Sequence, residues 1–188
     1  MFIRLPITIL SLVFSVLIVG CQTTGNSFQP PEISLSTIQK SGNYCEITDP
    51  AFAIDLGFIK FSPWWSGACK NGSPFGSGTL LTFAKNALAE RYEGPMQTGL
   101  LGQERHGKGV ITYFLQHKVV LPNSRMNRWS YEGDFKHNKR TGTGVYTDET
   151  GLKVEGNFIN GKPHGVCIVT APDGNSGEVE FDNGKPVR

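Results

Sequence analysis

Residues Tyr131 to Tyr146 read Y-E-G-D-F-K-H-N-K-R-T-G-T-G-V-Y, and the pattern recurs along the chain at fixed offsets. Trp65, Gly67, Gly72, Gly76 and Gly78 stand at the offsets of Tyr131, Gly133, Asn138, Gly142 and Gly144. Val154, Gly156, Gly161 and Gly165 repeat them, with Cys167 in place of the last glycine. Tyr92, Gly94, Gly99, Gly107 and Gly109 fit once four residues are inserted near Leu100 to Gln103. A final half copy, Phe181-Asp182-Asn183-Gly184-Lys185-Pro186, echoes Phe158-Ile159-Asn160-Gly161-Lys162-Pro163. Self-similarity at a short period is the mark of a repeat architecture, in which units bury their apolar faces only by stacking.

Within one copy, strand alternation puts Tyr131, Gly133 and Phe135 on one face and Glu132, Asp134 and Lys136 on the other. His137 to Arg140 make the turn. Asn138 fills a slot that is glycine in other copies, because both residues tolerate positive φ. The return strand places Gly142, Gly144 and Tyr146 on one face, and its glycines leave a bare strip on which an aromatic ring from a neighbouring hairpin can lie. Each copy is thus a β-hairpin that cannot bury its aromatic face alone. Stacked at a 23-residue step, such hairpins predict an all-β fold: an elongated, single-layer antiparallel sheet with a narrow core. The 23 glycines suit a turn-rich β protein. A net charge of +2 gives no argument for nucleic acid.

Over about Trp64 to Pro186 the chain resembles the MORN (membrane occupation and recognition nexus) repeat family, whose pattern is Y-x-G-x-x-x-x-G-x-x-x-G-x-G. The residues that carry it are Trp65, Gly67, Gly76 and Gly78 in copy one, and Tyr92, Gly94, Gly107 and Gly109 in copy two. Tyr131, Gly133, Phe135, Gly142 and Gly144 carry it in copy three, and Gly156, Phe158 and Gly165 in copy four. The resemblance implies an elongated, curved hairpin array that acts as an assembly or interaction module, without catalysis or cofactor. Between Thr79 and Arg91, and between Phe114 and Ser130, the spacing stretches beyond the regular step. Loops inserted into a repeat array often lie on its binding face, though an exposed loop without a ligand fits equally.

The segments before the array read differently. Residues 1–20 carry Arg4 and then an apolar run from Ile7 to Val19, too short for a comfortable span and of signal-peptide size. Leu17-Ile18-Val19-Gly20-Cys21 resembles the lipobox of bacterial lipoproteins. That resemblance implies cleavage before Cys21, lipidation of its sulfur and acylation of the new N-terminus. Gln22 at the next position favours the outer membrane over the inner one. Residues 21–41, rich in Gln, Thr, Ser and Pro, are expected to form an unstructured tether. Residues 42–63 contain alternating apolar positions from Phe52 to Phe61 and are expected to supply one or two strands of an N-terminal cap. The repeat array then occupies 64–188.

With Cys21 lipidated, Cys45, Cys69 and Cys167 remain. Cys69 takes the inward slot of Phe135 and Phe158, and Cys167 that of Gly144, in copies one and four. Each hairpin advances the sheet by about 9 to 10 Å, so these two lie roughly 30 Å apart, beyond disulfide reach. The expectation is a Cys45–Cys69 bridge pinning the cap to the first repeat, with Cys167 a small buried thiol.

Catalytic patterns are weak. Gly76-Ser77-Gly78, Gly107-Lys108-Gly109 and Gly142-Thr143-Gly144 mimic phosphate loops but lack the spacing and the following helix. His106 and His164 each precede a repeat glycine and read as turn residues. No nucleophile has a base at a recognisable spacing, and no metal set is expected. Surface candidates are Trp64, which alternation turns away from the inward Trp65, and the basic cluster Lys136, Lys139 and Arg140. Trp129 shares the parity of Tyr131 and is expected to extend the core. The sequence thus predicts a non-catalytic, lipid-anchored envelope protein whose array binds a protein partner. A membrane- or cell-wall-binding device is the alternative, and a small hydrolase using His106 or His164 a further one.

Overall fold

The computed structural model describes residues 33–47, 61–84, 86–99, 102–114 and 128–187. Helix α1 (Leu35–Ser41) comes first, followed by β1 (Cys45–Glu46), β2 (Phe61–Trp65), β3 (Ala68–Lys70) and β4 (Ser73–Ala84). Then come β5 (Ala87–Gly99), β6 (Gly102–Arg105), β7 (Gly107–Tyr113), β8 (Trp129–Lys136) and β9 (Lys139–Asp148). The chain continues through β10 (Lys153–Ile159), β11 (Lys162–Pro163), β12 (Gly165–Thr170), β13 (Ser176–Asp182) and β14 (Lys185–Pro186). These strands form one open antiparallel sheet in near-sequential order, β1-β2-β4-β5-β7-β8-β9-β10-β12-β13-β14, with β3, β6 and β11 paired beside β4, β5 and β10. The all-β array of hairpins expected from the repeat is the architecture observed.

Two rows of paired residues cross the strands and build the core. One row is large: Trp65 faces Leu80, Leu80 faces Tyr92, Tyr92 faces Ile111, Ile111 faces Tyr131, and Tyr131 faces Tyr146. Two positions along, Gly78 faces Gly94, Gly109 faces Gly133, Gly133 faces Gly144, and Gly144 faces Gly156. Each large ring lies down over the glycine row. A Cβ on Gly94 or Gly109 would strike Tyr92, one on Gly133 or Gly144 would strike Tyr131, and one on Gly67 or Gly78 would strike Trp65. The polar tip of each ring then donates to the carbonyl three residues on: Trp65 to Ala68 at 3.0 Å, Tyr92 to Pro95 at 2.9 Å, Tyr131 to Asp134 at 3.2 Å. Trp65, Tyr92 and Tyr131 are consequently fully buried in a sheet only one layer thick. The ring comes from its own hairpin, not from the neighbour expected from the sequence, because a side chain lying along its strand reaches the glycine two residues on.

The two glycines of each G-x-G have different work. Gly76, Gly107 and Gly142, the first of each pair, adopt φ of 71°, 67° and 54°, and Gly165, whose partner position is Cys167, adopts 73°, a region open chiefly to glycine. At Gly76 and Gly165 nothing lies within 4 Å of a hypothetical Cβ, so conformation alone selects the residue. The second glycine is selected by the ring above it. The hairpin tips Asn71-Gly72, His137-Asn138, Asn160-Gly161 and Asn183-Gly184 all have positive φ at both residues, the signature of the tight turn that matches strand twist. The second tip residue also ties copies together. Asn138 N donates to Arg105 O at 3.3 Å, Gly161 N to Arg140 O at 2.9 Å, and Gly184 N to Pro163 O at 2.9 Å. Phe135 meets the Tyr92 ring edge-on at 5.4 Å, and Phe158 meets Tyr131 at 5.0 Å. Such pairs contribute about 0.5–1.5 kcal/mol each beyond burial.

The opposite face departs from expectation at the N-terminal end. Trp64 does point away from Trp65, but it is not exposed. It packs with Leu81, Phe83, Leu88 and Phe114 beneath Ile38 of α1. The residues expected to be structureless therefore include a short helix from Leu35, capped by Ser34 Oγ accepting from Thr37 N at 3.2 Å and closed by Gly42 at φ 67°. Of the expected cap, β1 pairs with β2, placing Cys45 opposite Trp65; the apolar run from Phe52 to Phe58 lies outside the described residues.

Cys45 and Cys69 are joined by a disulfide with Cα atoms 6.6 Å apart, and Cys167 is a buried free thiol. The bridge spans 24 residues, a loop for which chain entropy corresponds to about 3 kcal/mol. Urea unfolding of a Cys45→Ser, Cys69→Ser protein should show a loss of that order. Thiol labelling of the unfolded, unreduced protein should modify Cys167 and leave Cys45 and Cys69 untouched; labelling at either of these would contradict the bridge.

Candidate functional site: an aromatic groove around Arg140

The aromatic face is not covered along its whole length. Beyond the rings that lie on glycines, a groove of about 750 Å³ opens between copies two, three and four. Its floor is formed by Tyr113, Trp129, Tyr146 and Phe158, and its cations are Arg105, Lys139 and Arg140. Trp129 stacks on Tyr113 at 6.0 Å with the rings 13° apart, and lies 6.1 Å from Tyr146. Its parity with Tyr131 places it against the core.

Arg140 sits at the centre. Its guanidinium lies 5.0 Å from the Trp129 ring centroid, 5.4 Å from Tyr146, 5.6 Å from Tyr131 and 5.7 Å from Phe158. One Nη2 hydrogen bond goes to Gly161 O. Among the described residues no carboxylate forms an ion pair with it. Burial lowers its pKa from the ordinary arginine value, with the neighbouring phenols Tyr146 and Tyr131 opposing that shift. A partly desolvated cation held by rings and one carbonyl keeps donors for an anionic or carbonyl group on a ligand. By contrast, Arg105 is already committed to Glu90, at one end of the groove.

The basic cluster read from the sequence is therefore divided by the fold. Lys136 and Lys139 are exposed, whereas Arg140, on the opposite strand parity from Lys139, turns inward. His137 takes a third direction. Held at φ 51°, it places Nδ1 2.9 Å from Glu104 Oε1. Glu104 is buried, and its carboxyl is held below the usual range by the hydrogen bond from Gln97 Nε2 at 3.0 Å and then by His137. Gln97 Nε2 also lies 2.9 Å from His106 Nδ1. His164 sits 3.7 Å from Asp182 Oδ1. The two histidines of the hydrolase alternative thus belong to separate local pairs. No group of three or more His, Cys, Asp or Glu is placed to hold a metal among the described residues. Cys21 and residues 115–127 of the second insertion lie outside the described residues. What sequence reading missed was the groove itself: Trp129 and Tyr146 share the inward parity with Tyr113, but only the register shows that Trp129 and Tyr146 meet around Arg140, with Tyr113 stacked against Trp129.

The fold and groove define a β-hairpin repeat protein with an open aromatic face. Residues 104–114, 131–153 and 155–176 match the MORN repeat family model, so those segments are similar to MORN repeats. Copy one lies outside the match, although Trp65, Gly67 and Gly78 reproduce the same ring-on-glycine seat. No curated protein matches the chain. MORN repeats are generally interaction modules for proteins or membranes and are typically non-enzymatic.

The phenols of this face report on its packing. Desolvation pushes Tyr92, Tyr113 and Tyr131 up to about 12, with Arg105 opposing at Tyr92 and Glu90 reinforcing at Tyr113. Because the folded values exceed the unfolded value of about 10, the associated stability is intact below pH 10 and is lost as pH rises from 10 towards 12. An ultraviolet titration should show these three phenolates forming only near pH 12, together with unfolding. Normal titration near pH 10 in the folded protein would show that the rings are not seated.

Proposed function

We propose that this chain is a lipid-anchored protein of the bacterial envelope whose MORN repeats form a non-catalytic scaffold, holding a segment of a partner protein in the aromatic groove. The observation that carries the binding role is Arg140: a half-buried guanidinium, framed by four rings beside an open groove, with which no carboxylate among the described residues forms an ion pair. An apolar groove with one convergent polar group is the general form of a recognition site, and Trp, Tyr and Arg are the residues that dominate binding energy at interfaces. The anchoring half of the proposal rests on Leu17 to Cys21, which carry the lipobox pattern, and on Gln22, which favours the outer membrane. Two or three acyl chains, at about 0.8 kcal/mol per buried CH₂, suffice for a stable anchor.

The test is crosslinking in intact cells of the tagged full-length protein carrying a photoreactive residue at Lys139 on the groove rim, read by mass spectrometry. Arg140→Gln and Cys21→Ser versions serve as comparisons. The proposal expects a defined protein adduct that Arg140→Gln reduces by roughly tenfold, from loss of a desolvated charge-assisted contact, and that Cys21→Ser removes by mislocalising the protein. Adducts confined to lipid or wall material would replace the scaffold with a surface-binding device.

A further inference from the structure

The face opposite the groove carries a second pattern. One row of directly paired residues crosses six consecutive strands, from β7 to β13: Val110, Glu132, Val145, Glu155, Ile168 and Glu178. A carboxylate on the outgoing strand of each hairpin thus alternates with a β-branched apolar residue on the return strand. In the adjoining row Val166 faces Glu180. Val166 is 61% exposed and Ile168 40%, large values for apolar residues in the middle of a sheet. None of Glu132, Glu155 and Glu178 takes part in an ion pair among the described residues, and each is exposed.

The same face is treated differently at its other end. There Trp64, Leu81 and Phe83 are buried beneath Ile38 of α1, so a helix of this chain provides the cover. Where the acidic and apolar residues alternate, Val166 and Ile168 remain open to solvent. The dimensions fit a helix here as well. Successive glutamates of the row are two strands apart, about 9–10 Å, and a helix advances about 10.5 Å in seven residues. The apolar residues midway between them, at about 5 Å, match a step of three or four residues along the helix.

We propose that this face docks a helix of a partner protein, basic at every seventh position and apolar at the positions three or four residues between. Lysine or arginine at the seventh positions meets Glu132, Glu155 and Glu178, while the intervening apolar side chains cover Val145, Ile168 and Val166. Seated on the opposite side from Arg140, this site is independent of the groove. Two partners can therefore be held back to back on a sheet one layer thick.

The probe is a synthetic helical peptide of about 20 residues, with lysine at each seventh position, leucine midway between and alanine and glutamine elsewhere. It is titrated by fluorescence anisotropy into the full-length protein, against a scrambled peptide of the same composition. The patterned peptide should bind more tightly than the scrambled one. Glu155→Lys with Glu178→Lys should weaken it by roughly tenfold, as like charges oppose at the interface, and Val166→Ser with Ile168→Ser should weaken it too. Exposed substitutions of this kind leave stability nearly unchanged. Arg140→Gln should have no effect. Equal binding of the scrambled peptide, or of the Glu155→Lys, Glu178→Lys protein, would overturn the proposal. Binding lost on Arg140→Gln would place the peptide in the groove, overturning this site while leaving the groove reading intact.

Discussion

The structure depends on one contact made repeatedly: an aromatic ring laid flat along its own strand over paired glycines, its polar tip bonded to a backbone carbonyl three residues on. A single-layer sheet has no second layer against which to bury large side chains. Lying down solves this, because the ring covers backbone instead of standing into solvent. Glycine is required on both strands beneath the ring, and the Tyr131 hydroxyl reaches both Asp134 O and Thr141 O. Burial of one such ring stabilises the fold by about 1.5–3 kcal/mol. Hydrophobic stabilisation is thus distributed as one packet per repeat, consistent with nearest-neighbour behaviour in repeat arrays.

Copies that depart from the pattern follow the same logic. In copy four Val154 replaces the ring, and the space over Gly156 is taken by Cys167, whose Sγ would lie 2.5 Å from a Cβ placed there. Cys167 stands where Gly144 stands in copy three, so loss of the ring and loss of the glycine compensate each other. In β13 both exchanges occur on one strand: Gly177 holds the ring position and Val179, facing Cys167, holds the glycine position. What varies between copies is which side chain fills the seat. The seat itself persists.

Much of this was legible in the residues. The offsets of Tyr131, Gly133, Asn138, Gly142 and Gly144 convey hairpins, their turn and their stacking, because strand parity and positive φ are local properties. The direction in which a ring folds down is not given by strand parity, and the sequence reading assigned it to the wrong hairpin. Nor could parity reveal that Trp64 is covered, since the helix that covers it begins within a stretch whose composition reads as a tether. The groove was the least legible part. Arg140 reads as one member of a basic tip, and only register brings Trp129, Tyr146 and Phe158 around it from three strands.

The measurement that most directly tests this account is a double-mutant cycle in urea, using Tyr131→Val, Gly144→Ala and the two together in the full-length protein. If the ring occupies the space above Gly144, adding a methyl group there is strongly destabilising with Tyr131 present. It should cost little once the ring has become valine, as in copy four. The double variant should then be more stable than the sum of the single losses predicts, by at least about 1 kcal/mol, well outside the roughly 0.5 kcal/mol within which independent sites add. Additive losses would mean that ring and glycine do not share one space, and the seat on which every repeat is built would be wrong.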